Sequence, residues 1–572
     1  MTRIPGKDAP LESTIARLTG QLATLGFHIE ERSWLHPVAG VWSVHIRDRD
    51  CPLLFTNGKG ASREAAMASA LGEFFERLST RYFWTHYYLG QTRAEAAVVH
   101  QANERWFAIP EDNDWPDGLL DEDLREFYNP DGDLDVSTLV DRNSGNHARG
   151  ICALPFVRHD DGAIIWFPVN LLGNLYVSNG MSAGNTADEA RVQALSELAE
   201  RYVKFEVIRD GLCLPDIPED VLQRYPLIWE GICELRQAGF GILVKDASLG
   251  GIWPVINVTL LNPADQSCFA SFGAHPLFEV ALERALTELL QGRGLDALGG
   301  FHAPGFDMDE IADPQNLEIH FVDSSGIISW EFLSANPDFD WTGWHFDGDN
   351  AAAFEWLVRI IESQGYRIYI TDYTDLGVYA CRILIPGLSE IYPVEELAWD
   401  NNSNANELRP QALNLASLTE EDCLQLIDDI EERGIADQQP VAGWLGLAAD
   451  PGSMWKELRI GELKTMLALA GQDREAALAG CEWIRQFEHI PEQRQRVYRA
   501  VATLLNMETP TDYQPALDLM FGAETVALAQ AMIDGNNRFL GLDSPGLDLA
   551  GCDMHQKLLQ ALQKLDRPGV LA

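Results

Sequence analysis

Ala70-Leu71-Gly72-Glu73-Phe74-Phe75-Glu76-Arg77 recurs as Ala194-Leu195-Ser196-Glu197-Leu198-Ala199-Glu200-Arg201, with Glu73 and Glu197, Glu76 and Glu200, and Arg77 and Arg201 each 124 positions apart. The flanks repeat as well: Asn57-Gly58 and Asn179-Gly180 precede the two copies, and Gly60-Ala61-Ser62 lines up with Gly184-Asn185-Thr186. Residues at i, i+3 and i+4 share a helix face, so Glu73, Glu76 and Arg77 project together, as do Glu197, Glu200 and Arg201. Stepping back by turns adds Ser69 to the first face and Gln193 and Glu189 to the second. Leu71, Phe74, Phe75 and Leu78, and Ala194, Leu195 and Leu198, make the opposite faces apolar, so each helix is expected to lie on a sheet. Ser62 and Thr186 are natural N-caps.

A third helix, Ala281 to Arg293, resembles these two loosely and gathers Arg284, Thr287, Glu288 and Gln291 on one face. Read singly, each Glu-x-x-Glu-Arg is an ordinary solvated face, and Glu189 completes a capping box with Thr186. Duplication at fixed spacing argues otherwise, because solvated faces drift. If the faces converge, like charges repel by about 4 kcal/mol per pair at 4 Å and an effective dielectric of 20. Cations relieve that repulsion, and hard oxygen ligands select Mg2+ or Ca2+. Interleaved arginines suit phosphate oxygens. The combination points to a nucleoside-triphosphate pocket of uncommon type, since no Gly-x-x-x-x-Gly-Lys-Ser/Thr loop and no Gly-x-Gly-x-x-Gly after a strand occur.

The chain has 572 residues with 42 Lys+Arg against 87 Asp+Glu, a net charge of -45. That field repels phosphate backbones and anionic lipid, which disfavours nucleic-acid and membrane-surface partners. The length suits two to four domains. Nine cysteines stand singly, with no Cys-x-x-Cys, and read as buried thiols in a reducing compartment. No histidine pairs with another at i+3 or i+4, and the tryptophans suit cores and interfaces. The N-terminus lacks the apolar core of a signal peptide and no run is long enough to span a membrane, so a cytoplasmic protein is expected.

Along the chain, residues 1–55 form an N-terminal segment with a helical pattern over Leu11 to Leu25 and a strand at Val41 to Ile46. Residues 56–393 alternate apolar runs, such as Ile164–Val169, Ile256–Leu261 and Ile383–Ile385, with helical stretches, which predicts an α/β core of mixed sheets with packed helices. The acidic stretch Glu111 to Asp135 reads as a solvated insertion; its Asp131-x-Asp133-x-Asp135 begins like a calcium loop but places Val136 where a glycine is needed. Residues 394–410 are polar and Asn-rich, a linker. Residues 411–572 read as an all-α domain with helices at Glu420–Glu432, Met454–Ala470, Arg474–Phe487 and Gln493–Met507, of TPR-like type without a clean 34-residue period, suited to binding partners or dimerising.

Two competing functions have sequence support. Gly180-Met181-Ser182-Ala183-Gly184 fits Gly-x-Ser-x-Gly between an expected strand (Gly173 to Val177) and a helix, with His275 or His302 as candidate bases, a serine-hydrolase arrangement. A non-catalytic adaptor working through the helical tail is the other.

The motifs closely resemble those of the YcaO family: a Ser-x-x-x-Glu-x-x-Glu-Arg helix at Ser69–Arg77, a second copy preceded by Glu and Gln at Glu189–Arg201, and an Arg-x-x-Thr-Glu helix at Arg284–Gln291, with Gly377 to Arg382 leading into Pro386-Gly387 as a closing strand. The likeness spans roughly 56–393 and implies a pseudo-duplicated ATP-binding core that phosphorylates a backbone amide oxygen. It implies Glu73, Glu76, Glu197, Glu200 and Glu288 as Mg2+ ligands, and Lys7, Ser69, Glu189, Gln193, Arg201 and Arg284 as ATP contacts. Pro5-Gly6-Lys7-Asp8 and the long tail are similar to those of stand-alone bacterial members, which implies an accessory role in β-methylthiolation of a small-subunit ribosomal protein, with that protein or its methylthiotransferase as partner and a homodimer built through the tail. Peptide-cyclising members often end in Pro-x-Pro-x-Pro; this sequence ends Arg567-Pro568-Gly569-Val570-Leu571-Ala572, which favours the accessory role.

Overall fold

A computed structural model describes residues 1–395, 401–487 and 490–566; the end of the chain quoted above therefore lies outside the described residues. After helix α1 (Leu11–Leu25), twelve strands follow: β1 (Ile29–Val38), β2 (Val41–Asp48), β3 (Phe55–Gly60), β4 (Arg105–Phe107), β5 (Ile151–Arg158), β6 (Ile164–Pro168), β7 (Met181–Gly184), β8 (Gly241–Asp246), β9 (Val255–Asn262), β10 (Ser267–Ala274), β11 (Tyr369–Tyr373) and β12 (Tyr379–Leu384). They make three sheets, ordered β1-β2-β3, β10-β9-β8, and β4-β5-β11-β12-β7 with β6 on β5. The ladders between these strands are antiparallel. The expected combination of sheets, packed helices and a helical C-terminal region is thus observed, with antiparallel rather than mixed sheets.

A strand–turn–helix unit occurs three times, once in each sheet. β3 leads to α2 (Arg63–Ser79), β7 to α3 (Ala187–Arg209) and β10 to α4 (Phe278–Leu289). Ser62 caps α2 by accepting the Ala65 N–H, and Thr186 caps α3 by accepting that of Glu189. Each helix lies hard on its own strand: a Cβ at Gly58 would sit 2.0 Å from the Ala66 carbonyl oxygen, and one at Gly273 2.3 Å from the Ala285 nitrogen. The apolar faces expected for α2 and α3 (Leu71, Phe74, Phe75, Leu78; Ala194, Leu195, Leu198) are all buried. Helix α5 (Asn350–Ser363) packs on α3.

Ahead of the C-terminal helices, three local expectations fail. Gly173–Val177 is not a strand; Leu172–Tyr176 is a wide helical turn, and Val177 takes φ 50°. The acidic stretch is not merely solvated: Leu119, Leu120, Leu124, Tyr128 and Leu134 are buried under the helix Glu122–Tyr128 and its flanks. The Asn-rich stretch, of which 396–400 lie outside the described residues, is a packed seam over 401–409. Asn401 Nδ2 donates to Thr138 O at 3.0 Å and to Asn170 Oδ1 at 3.2 Å, and Asn406 Nδ2 to Asp141 O at 3.2 Å. Asn here satisfies buried carbonyls, a job that composition does not distinguish from solvation.

The C-terminal region contains α6 (Glu420–Glu432), α7 (Ile460–Ala470), α8 (Arg474–Gln486), α9 (Glu492–Leu505), α10 (Ala523–Ile533) and α11 (Asp553–Lys564). The single helix expected over Met454–Ala470 is broken at Leu458 and Arg459, where Arg459 bridges Pro440 in extended form. Helix α11 turns back to the N-terminal lobe: Leu558, Ala561, Leu562 and Leu565 share a core with Phe74, Phe75 and Leu78 of α2, and Trp84 Nε1 donates to Leu558 O at 2.9 Å. No helix among the described residues is long and apolar enough to cross a membrane.

Candidate functional site

α2, α3 and α4 turn their polar faces toward one cavity of about 430 Å³, closed by the N-terminal segment, β3, β7 and the Phe321-Val322 corner. Ser69, Glu73 and Glu76 reach it from α2, and Glu189, Gln193, Glu197 and Arg201 from α3. Arg284 and Glu288 enter from α4 and Lys7 from the N-terminal segment. Of the residues expected to hold metal or nucleotide, Glu200 alone is absent from the wall. It is 8% exposed and faces the seam between α3 and α4, where it accepts the Ala274 N–H and the Arg284 guanidinium, each at 3.2 Å.

In a chain of net charge -45, the cavity is formally neutral: Lys7, Arg17, Lys59, Arg77, Arg201 and Arg284 face Glu73, Glu76, Glu189, Glu197, Glu283 and Glu288. Most of these charges are paired. Arg77 lies 3.4 Å from Glu73 and 3.3 Å from Glu76, Arg201 lies 2.6 Å from Glu197, and Lys59 pairs with Glu288. The two repeat copies therefore use the same i, i+4 pair. Burial pushes Glu76 up to about 8, opposed by Arg77 and reinforced by the Glu197 and Glu73 carboxylates. Burial raises Glu73 as well, with Arg77 opposing and Glu197 adding to it. Lys59 is pushed down to about 8, chiefly by burial.

Glu189 serves neither as a solvated residue nor as the second half of a capping box. Its carboxylate accepts the Asp8 N–H at 2.9 Å and the Asn185 amide at 2.9 Å, and stands 3.4 Å from Lys7 Nζ. Asp8 in turn accepts from Thr186 and, at 2.9 Å, from Asn350 of α5. The segment carrying Lys7 is thereby tied to α3 and α5 by charge-assisted bonds, most of them partly buried.

Among the described residues no three His, Cys, Asp or Glu side chains close on one point as a bare metal cage would. The donor set fits a cation that arrives with phosphate instead: Mg2+ commonly takes one or two carboxylates, waters and substrate phosphate oxygens. Among the described residues Arg284 Nε is buried without a hydrogen-bond partner, a donor left over for an anion. The volume lies within the usual range for small-ligand sites, roughly 300–1,000 Å³. The residues present therefore fit a magnesium–nucleotide pair.

The serine-hydrolase arrangement is not built. Ser182 lies within β7, opposite Cys381 of β12, and not on an elbow after a strand. It is 1% exposed, and among the described residues its Oγ has no hydrogen-bond partner and no histidine lines the cavity. His275 instead accepts the Leu277 N–H through Nδ1.

Sequence reading missed Lys59, Arg17 and Glu283 in this cavity. Lys59 belongs to none of the helix motifs; its flanking glycines, which let β3 lie against α2, were the usable signal. Glu283 escaped because its partner, the Ala61 N–H at 3.2 Å, is 222 residues away.

Three strand–turn–helix units around a charge-balanced cavity, continued by a helical region, define an α/β protein with an internally duplicated acidic–basic pocket. The chain belongs to the YcaO family: a family profile described as YcaO cyclodehydratase, ATP- and Mg2+-binding, matches residues 57–389, and one described as the YcaO cyclodehydratase C-terminal domain matches 405–568. It is 51% identical to the ribosomal protein S12 methylthiotransferase accessory factor YcaO of Escherichia coli (strain K12), over 99% of this chain and 98% of that protein. It is 45% identical to an uncharacterized protein of Haemophilus influenzae over the same shares. Among solved structures, it is similar to YcaO from Methanopyrus kandleri bound with AMPPCP and Mg2+ (18% identity, 67% of this chain and 92% of that one, TM-score 0.39) and to a heterocyclase in complex with substrate and cofactor (16%, 67% and 53%, TM-score 0.43).

Proposed function

We propose that this protein is a Mg-ATP-dependent enzyme that activates a peptide backbone amide, serving as accessory factor in β-methylthiolation of a small-subunit ribosomal protein. The observation that carries this reading is the neutral cavity walled by the twinned helices and α4, in which Glu73, Glu76 and Glu197 each have an arginine beside them, with Glu200 holding Arg284 at its edge. Kinship with the E. coli accessory factor supports the cellular role. ATP, when bound, supplies a phosphoryl group to the amide oxygen. Lys7, Arg201 and Arg284 offer N–H donors to phosphate oxygens, and Glu73, Glu76, Glu197 and Glu288 offer oxygens to Mg2+. Ser69, Gln193 and Glu189 complete the nucleotide contacts. Glu200 acts through Arg284, whose guanidinium it orients. The tied segment around Lys7 shields the site from water. We place the protein in the cytoplasm, as a homodimer associating through its TPR-like C-terminal helices, with the ribosomal protein or its methylthiotransferase as partner.

Calorimetry with Mg-ATP tests the reading: Glu73→Ala and Glu197→Ala are each expected to weaken binding by tenfold or more, and unchanged affinity in both would remove the site assignment. The word accessory in the relative's name also suits a non-catalytic adaptor. Partner binding by a protein that binds no Mg-ATP at all would establish that role instead.

A further inference from the structure

Lys59 is a cavity lysine to which neither the repeat nor the helix motifs assign a role. It lies on β3, between Gly58 and Gly60, where a Cβ at Gly58 would collide with α2 and one at Gly60 would lie 2.7 Å from the Ala65 Cβ. The two glycines press the strand onto α2 and leave Lys59 to reach the cavity. α4 and the turn after it are fastened to β3 and the residue after it, on both sides of Lys59: Gln291 Nε2 donates to Asn57 O at 2.8 Å, and Glu283 accepts the Ala61 N–H at 3.2 Å. Between those two fastenings the Lys59 ammonium meets Glu288.

Glu73, Glu76 and Glu197 are paired with arginines that the protein also holds by a second contact. Arg77 lies over the Tyr82 ring at 4.5 Å, and Arg201 donates to Asn179 Oδ1 at 2.7 Å and lies over Phe321 at 4.7 Å. Lys59 differs. Among the described residues its one ion pair is with Glu288, and an ammonium carries three N–H donors, so capacity remains for further acceptors. A flexible point charge on a partner that a cation can claim is free to change acceptors, whereas a doubly held guanidinium is not.

We infer that Lys59 is a phosphate-binding group of this site, resting on Glu288 until a divalent cation takes that carboxylate and then carried by its own stem to the oxygens of the polyphosphate. The inference deepens the proposed function and rests on it: Glu288 must be a ligand of the cation that accompanies the nucleotide. The exchange keeps the charge account even, because the Glu288 carboxylate trades one cation for another and the released ammonium meets the anion that came with the replacement. Lys59 thereby marks the polyphosphate end of the cavity on the β3–α4 side.

The test is calorimetric titration of full-length protein with Mg-AMPPNP and, separately, with adenosine, for wild type, Lys59→Met and Lys59→Arg, alongside melting temperatures. The expected result is a tenfold or greater loss of Mg-AMPPNP affinity in Lys59→Met, recovery to within about threefold of wild type in Lys59→Arg, and unchanged adenosine affinity in both. Wild-type affinity for Mg-AMPPNP in Lys59→Met, or equal losses for AMPPNP and adenosine, overturns the assignment and leaves Lys59 a structural partner of Glu288. If wild-type protein itself fails to bind Mg-AMPPNP, the proposed function falls and takes this inference with it. Binding by wild type that Lys59→Met retains removes only the inference.

Discussion

The Arg284 guanidinium stands 3.2 Å from the Glu200 carboxylate, in a seam where both side chains are more than four-fifths buried. The pair joins α4 to α3, and the Ala274 N–H on the same carboxylate adds the end of β10. Removing one partner leaves a buried charge without its counterion, which commonly costs about 3–5 kcal/mol. We expect Glu200→Ala to lower unfolding free energy by about 3 kcal/mol in urea titrations, and Glu197→Ala, on the cavity wall, by about 1 kcal/mol or less. Equal effects would put Glu200 on the wall with the others.

Two glycines of the first repeat should respond in opposite directions. Gly58→Ala must push β3 and α2 apart, since the added carbon would meet the Ala66 carbonyl, and we expect a loss of about 3 kcal/mol or more. Gly72 lies inside α2 on the cavity wall with nothing within 4 Å of an added Cβ, so Gly72→Ala should gain up to about 1 kcal/mol from helix propensity. Chemical denaturation of the two variants checks both signs.

Two buried histidines should draw stability down on mild acidification, against the raised Glu76 carboxyl, which works the other way. His555 and His320 are fully buried, and burial holds both near about 4. His555 accepts the Ala448 N–H at 2.9 Å through Nδ1 and so donates through Nε2 to Tyr88 O at 2.8 Å, which requires the neutral ring. Because their folded values lie below the unfolded value of about 6.5, their contribution is complete above pH 6.5 and is lost as pH drops toward 4, by up to about 3 kcal/mol each. Urea midpoints measured from pH 7.5 to 5 should decline, and His555→Gln should flatten the decline while lowering the plateau.

The last helix is not a removable tail. Deleting residues from 553 onward would uncover Phe74, Phe75 and Leu78 and strip Trp84 and Arg93 of Leu558 O and Asp566. We expect the truncated chain to melt more than 10 °C lower, or to be recovered only in aggregates, because the loss of several buried Leu side chains costs several kcal/mol. A truncated protein with the full-length melting temperature would show the two regions to be independent.

Much of this was legible because it is periodic. Ser62 and Thr186 cap where a Ser or Thr before an apolar–acidic run should, and Leu11–Leu25 and Glu420–Glu432 begin and end as their patterns indicate. The failures share a cause. Gly173–Val177, the break at Leu458–Arg459 and the buried Asn401–Asn406 seam are set by partners far along the chain, such as Pro440 for Arg459 and Thr138 for Asn401. Local propensity has no access to those partners.

The amino-acid order alone determined the spacing of Glu73, Glu76 and Arg77 and their copies, and with 3.6 residues per turn that spacing dictates which side chains share a face. It could not say where those faces point. Folding decided that α2, α3 and α4 surround one cavity, that Glu200 leaves it for Arg284, and that Lys59 enters it to meet Glu288. The reason is geometric: a helix face is fixed by intervals of three and four residues, whereas a cavity is fixed by contacts between separate units, such as Arg284 with Glu200 and Gln291 with Asn57, whose partners lie far apart in the chain.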